Sequence, residues 1–496
     1  MSRVSALRWP LIAVALALVP LAASAKGTAP APSPAASSAV PVPVATPEPP
    51  DVAIPKLQAA LKKNPNDRDA LLKFAEYMSA VHRPDQALAA TQKLEQLGVK
   101  TAEVYYYQGS ALADLGDDKD AITALQKASD LAPTNAAVLV RLADLYLRAN
   151  RGPDAERVAQ RAITFNKGDS SAYDTLGMVY AAEKKYDEAR KQFEQAYKVD
   201  SKDPSSLMLE AQTYIDEKTP RKAVDVYDRI LAANKNNKDA IYGKAHAYAA
   251  ADDVVKAVQQ YDELLALDPK NVQIELEIAG LYASKSLDSD AQKAFQKAVD
   301  DHPGLSVPLI SYGQYWYGKK QTAKAVALWK QALGPKGNDP DALNVLAQYS
   351  MSAGKYADAA SYLNKLIAAV GPNGASPDLY LGLGQAYMGQ NQFQQAHDSF
   401  RKAYDMHEDP VTAMALAQSD LKLKNFKEAA DLAEQVKKKA PAFAKQQPLV
   451  YLVAAQAYEG LHQTAAAKEN YKQLLSYAPK NSDLAKQASD AIKRLH

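Results

Sequence analysis

The sequence has no cysteine, which excludes disulfides, thiolate metal sites and cysteine nucleophiles. It has no excess of either charge, with 59 Lys and Arg against 57 Asp and Glu. A chain so balanced carries no electrostatic footprint for nucleic acid or an anionic membrane. The run Lys437-Lys438-Lys439 reads as a solvated helix end beside Ala440 and Pro441. Histidine is scarce: the seven residues fall singly and read as surface or loop positions. Neither His-Glu-x-x-His nor Gly-x-Ser-x-Gly occurs, and the acidic residues are scattered over predicted helix exteriors. No catalytic residue, metal ligand or cofactor is therefore expected, and the chain reads as a non-enzyme. From Lys26 onward no apolar run is long enough to span a bilayer.

The stretch before Lys26, residues 1–25, reads as a secretory leader. Arg3 and Arg8 form a basic start, "WPLIAVALALVPL" an apolar centre, and "ASA" a small-residue cleavage site. The apolar run is short for a membrane span, and Pro20 would break its helix. The expected location is outside the cytoplasm, periplasmic or secreted. Residues 26–55, "KGTAPAPSPAASSAVPVPVATPEPPDVAIP", alternate Pro, Ala, Ser and Val with almost no charge, and read as a polyproline-type tether. Residues 56–67 match the second half of a repeat unit.

What the rest of the chain has is a period. Evenly spaced units begin at 68, 102, 136, 170, 204, 238, 272, 306 and 340, and resume at 377, 410 and 448. The eighth position is always small, as in Ala75, Gly109, Gly177, Gly313 and Gly384. The twentieth is always alanine, from Ala87 to Ala467. Large residues hold the fourth position (Leu71, Tyr105, Tyr380) and the eleventh (Tyr146, Tyr180, Tyr214, Trp316). Positions 4, 7, 8 and 11 form one stripe of an α-helix, and positions 20, 24 and 27 form a second. Each unit is thus predicted to be two amphipathic helices whose small residues allow close approach. Prolines such as Pro133, Pro269 and Pro479 end the second helix.

This pattern resembles the tetratricopeptide repeat over residues 68–481, about twelve units, with 482–496 as a capping helix. The resemblance implies an all-α, right-handed superhelical solenoid whose first helices line a concave, partner-binding face. It also disposes of one motif. "DLYLGLGQAY" (378–387) looks like a phosphate loop, but Gly382 and Gly384 lie within a predicted helix, and Gly384 occupies the small column.

Candidate partner-binding residues follow from first-helix positions. The ninth position is glutamine in Gln314, Gln348, Gln385, Gln418 and Gln456, a row that could read the backbone of an extended peptide or be solvated helix surface. Met351, Met388 and Met414 would give an adaptable apolar floor. Tyr106, Tyr242 and Tyr317 are either anchors for a partner or packing residues. Glu210 and Lys244 share the usually apolar seventh position in adjacent units and are expected to form a structural ion pair.

The resemblance suggests a non-catalytic scaffold for protein–protein interaction in the bacterial cell envelope. It would hold an extended segment or an amphipathic helix on the concave face, with no nucleic-acid ligand. The alternative is a periplasmic scaffold of a polysaccharide-export or outer-membrane assembly system.

Overall fold

A computed structural model describes residues 48–495, and the predicted leader and residues 26–47 of the tether lie outside the described residues. The chain there is all helical: 27 helices follow one another with no strand among the described residues. The first runs Pro50–Lys63, so helix begins inside the stretch assigned to the tether. Pro50 sits at its first turn, where the missing N–H costs nothing, and Pro55 is carried inside it. Twelve helix pairs follow, from Arg68–Ala80 with Pro84–Gln96 to Leu449–Gly460 with Thr464–Tyr477. The helix Asp483–Arg494 comes last, buries Ala485, Ala488 and Ala491 and turns its charges outward. The residues added before the twelfth pair form a short helix, Pro441–Gln446. No helix among the described residues is long and apolar enough to cross a membrane.

Helix starts are written in the side chains. Asp67, Thr101, Asn135, Asp169, Asn237, Asp339 and Asp409 each accept a hydrogen bond from a first-turn backbone N–H. The ends of the first helices are fixed by the backbone instead. Position 15 of every unit has positive φ: His82, Asn150, Lys184, Lys218, Asp252, Ser286, Lys320, Asn391, Lys424, His462 and the glycines 116 and 354. The next residue donates its N–H back to the carbonyl of position 11, as Arg151 does to Tyr146 (2.7 Å) and Lys185 to Tyr180 (2.8 Å). This is the left-handed helix cap that normally favours glycine.

The two small columns meet in the core. All twelve alanines of position 20, from Ala87 to Ala467, are fully buried. A Cβ added to Gly177, Gly313 or Gly384 would overlap the ring of Phe193, Trp329 or Phe400 on the second helix of the same unit. Gly384 is therefore a seat for an aromatic ring, and the phosphate-loop reading is closed by packing.

The helices group into two compact units, residues 48–281 and 282–495, which divide within Val272–Ser284. Inside each, several successive first helices touch: Arg68–Ala80 with Ala102–Asp114 and Ala136–Arg148 with Ser170–Ala182 in one, Ser306–Gly318 with Pro340–Ser352 and Pro377–Gly389 with Pro410–Leu423 in the other. Successive second helices show no comparable contact among the described residues. First helices are packed along an inner layer and second helices splay outside it, the arrangement of a helical solenoid.

Candidate functional site

The inner layer of residues 282–495 is built from first helices whose eighth positions are locked into the core, which fixes the direction of the ninth. Gln314, Gln348, Gln385, Gln418 and Gln456 are accordingly all half-buried, beside fully packed neighbours. Gln348 donates to Asn344 Oδ1 at 3.2 Å. The side-chain amides of the other four make no hydrogen bond to any described residue. Some glutamines elsewhere are spent, as Gln390 on two backbone carbonyls and Gln435 on the Tyr404 hydroxyl (3.1 Å), while the half-buried Gln192 and Gln487 are not. A half-buried carboxamide so placed keeps two donors and an acceptor open to any polar group brought against it.

The apolar residues beside the row divide into two sets. Met351 and Met388 are half-buried beside it, and Tyr317 is 46% exposed, edge-on to Tyr349 with ring centroids 6.2 Å apart. Met414, 1% exposed, is core, because in the fifth position it is covered by the neighbouring first helix. Tyr106 is likewise core at 6% exposure and packs edge-on against Tyr107. Neither offers a surface to a partner, and both leave the candidate site. Tyr242 is half-buried and tilted against His246, ring centroids 4.4 Å apart, with its hydroxyl 3.5 Å from Glu277.

In residues 48–281 the same inner positions carry carboxylates. Asp144 accepts from the Thr175 hydroxyl at 3.1 Å, and burial pushes its carboxyl up to about 6 against the opposing pull of Thr175, Arg141 and Arg148. Asp174 accepts from Ser206 at 3.0 Å, while its other oxygen is buried without a hydrogen-bond partner. Burial, with Asp203 and Asp169 adding to it, raises that carboxyl to about 7. The ninth position here is varied: Glu76, Ser110, Asp144, Met178, Gln212, His246 and Gly280. Gln212 is spent on Asp216 at 2.9 Å.

Comparison with known sequences decides what this arrangement belongs to. Models described as tetratricopeptide repeat match residues 72–136, 314–375 and 381–443, then 214–283, then 449–481, together more than half of the chain. The chain is a tetratricopeptide-repeat protein. The model of the tetratricopeptide repeat protein 21 C-terminal ARM domain also matches, over residues 117–240. No curated protein matches the chain. Among solved structures, MamA is similar at 29% identity, over 31% of this chain and 90% of its own, with a TM-score of 0.29. YrrB, described as a repeat protein with an unusual peptide-binding site, is similar at 24% identity over 38% and 97%, TM-score 0.31. Pseudomonas aeruginosa PilF is similar at 20% identity over 41% and 92%, TM-score 0.34.

In this repeat protein the expected Glu210–Lys244 pair does not form. The helix Pro220–Ala233 lies between their two first helices and supplies both counter-charges from consecutive residues. Arg229 pairs with Glu210 at 3.2 Å, and Asp228 pairs with Lys244 at 2.8 Å. Burial raises the Glu210 carboxyl and Arg229 opposes the shift. Reasoning from matching columns alone missed the second helix between them.

Two histidines of the repeat protein are also not simple surface residues. His246 packs against the rings of both Tyr242 and Tyr261, with Nε2 buried and lacking a hydrogen-bond partner, and burial lowers its pKa. His397 Nε2 sits 3.2 Å from Asp420, whose side chain is 1% exposed. Asp420 occupies position 11, where Tyr146, Tyr180, Tyr214, Tyr248, Tyr387 and Tyr458 stand in other units. That break in an aromatic column was the available signal for this buried pair.

Proposed function

We propose that the protein is a non-catalytic binding scaffold of the bacterial cell envelope, exported through the leader that ends at Ala25, and that it holds an extended segment of a partner protein along the first helices. One observation carries the reading: Gln314, Gln385, Gln418 and Gln456 are half-buried in one register with their amides unspent. Unused donors and acceptors so placed recover their hydrogen bonds when a polar backbone displaces water, and the half-buried methionines beside them adapt to varied side chains. The envelope assignment rests on the leader-like start of the sequence.

Placing a photo-crosslinking side chain at Gln385, and in a second variant at the exposed Gln394 on the helix Phe393–Met406, tests the reading in envelope-producing cells. A discrete partner is expected to crosslink from position 385 and not from 394. Equal labelling from both positions would refute the inner-face assignment. Sequencing the N-terminus of the exported chain checks the leader: a start at Lys26 is expected.

A further inference from the structure

The chemistry of the glutamine row narrows its ligand, given the peptide-binding reading on which this step rests. First helices that pack directly lie about 8–10 Å apart, so Gln385, Gln418 and Gln456 present one unspent amide at each of two successive steps. A polyproline II segment turns once per three residues at about 3.1 Å each, which returns an equivalent backbone carbonyl about every 9 Å. A β-strand repeats about every 7 Å and falls out of step within two or three glutamines. An α-helix has spent its carbonyls internally and leaves the amides nothing to hold.

Two further observations agree. The fifth and ninth positions of these helices, from Ile310 and Gln314 to Leu452 and Gln456, carry no charge, so a charged segment would lose solvation without a partner. At one end of the row, Tyr317 is 46% exposed and stands edge-on to Tyr349, an aromatic corner of the kind against which proline rings pack. We propose that the inner face of residues 282–495 binds an uncharged, proline-rich segment of a partner protein in the polyproline II conformation, in a register of one turn per repeat.

The test titrates the full chain with fluorescent peptides of about five turns: an uncharged Pro-Pro-Ala repeat, a Thr/Val strand-former and an amphipathic helix. The proline peptide is expected to bind, and to bind more tightly with each added three-residue turn, by about fivefold for one net hydrogen bond. Gln385→Ala should weaken it about fivefold and Gln385→Ala with Gln418→Ala about twenty-five-fold, with circular-dichroism melting unchanged. Glutamine-dependent binding of the strand or helix peptide in place of the proline peptide would overturn the polyproline assignment and leave the scaffold reading standing. Binding of every peptide unchanged in the double variant would overturn both. Tighter probe binding after Pro41, Pro43 and Pro47 are changed to alanine would show the groove taken by the chain's own segment and overturn the choice of a partner.

Discussion

Residues 48–281 and 282–495 share a scaffold and differ in what they place on it. Both bury alanine at position 20, and both end their first helices on a left-handed residue. On the inner layer, however, the first unit holds Asp144 and Asp174 with raised pKa values and partners already found in Thr175 and Ser206. The second holds a row of neutral amides whose hydrogen bonds, Gln348 apart, are not made within the described chain. Repeat packing therefore fixes the columns that face the core and leaves the ninth and fifth positions open to divergence. Function is to be sought in the difference and stability in the sameness.

If the scaffold is common, the largest effects should be equal in the two units. Gly177→Ala in the first and Gly384→Ala in the second each drive a methyl into a buried ring, Phe193 or Phe400. Each is expected to destabilise its unit by about 1–3 kcal/mol through overpacking. Hydrogen exchange resolved by segment reads the loss locally, because stability in stacked repeats is close to nearest-neighbour additive. A loss at Gly177 with none at Gly384 would show that the two seats are not equivalent.

The second effect should separate the units. The folded-state pKa of Asp144 and of Asp174 is raised, from 3.8 to about 6 and about 7. The folded chain then takes up protons before the unfolded chain does as pH falls. Their contribution makes residues 48–281 more stable as pH drops from 8 through about 7 and about 6. Between pH 8 and pH 5 the gain is about 1–3 kcal/mol for each carboxyl, and it continues until pH reaches the unfolded value of 3.8. Asp144→Asn and Asp174→Asn keep an acceptor for Thr175 and Ser206 while removing the charge. In denaturant titrations the double variant should be more stable than the parent at pH 8, by a smaller margin at pH 5, and should match it only below the unfolded value of 3.8. A parent whose stability is flat between these values would remove the electrostatic half of the comparison.

The repeat was legible because packing acts on side-chain size, and size is visible in a sequence. Ala87 to Ala467 and Gly384 announce helix contacts wherever they recur. The glutamine row was legible for the same reason, one residue type in one register. Burial at the fifth position was not: Met414 and Tyr106 lie under a neighbouring helix, while Tyr242 in the same column is only half covered. The partners of Glu210 and Lys244 were hidden because Asp228 and Arg229 belong to a different column and a different helix. The left-handed position 15 was invisible because His, Asn, Lys, Asp, Ser and Gly all occupy it. There the constraint acts on the backbone, through the bond from position 16 to the carbonyl of position 11, and it does not select a side chain.

That last column gives the smallest and most general effect. A lysine with positive φ crowds its Cβ against the backbone, a cost of about 1–2 kcal/mol that glycine avoids. Glycine returns part of this advantage through the greater freedom of its unfolded chain, roughly 0.5–1 kcal/mol. The difference leaves Lys184→Gly (φ 61°) in the first unit and Lys320→Gly (φ 59°) in the second each expected to stabilise by about 0.5 kcal/mol. The reverse changes, Gly116→Lys (φ 85°) and Gly354→Lys (φ 68°), should destabilise by a similar amount. Because neither lysine makes an ion pair with a described residue, no lost contact confuses the sign. Neither the inner-layer carboxylates nor the glutamine row is touched, so peptide binding should stay constant while melting shifts upward in both units. A binding change that accompanies the melting shift would mean the turns set the register of the inner face, and the division between shared scaffold and divergent surface would have to be redrawn.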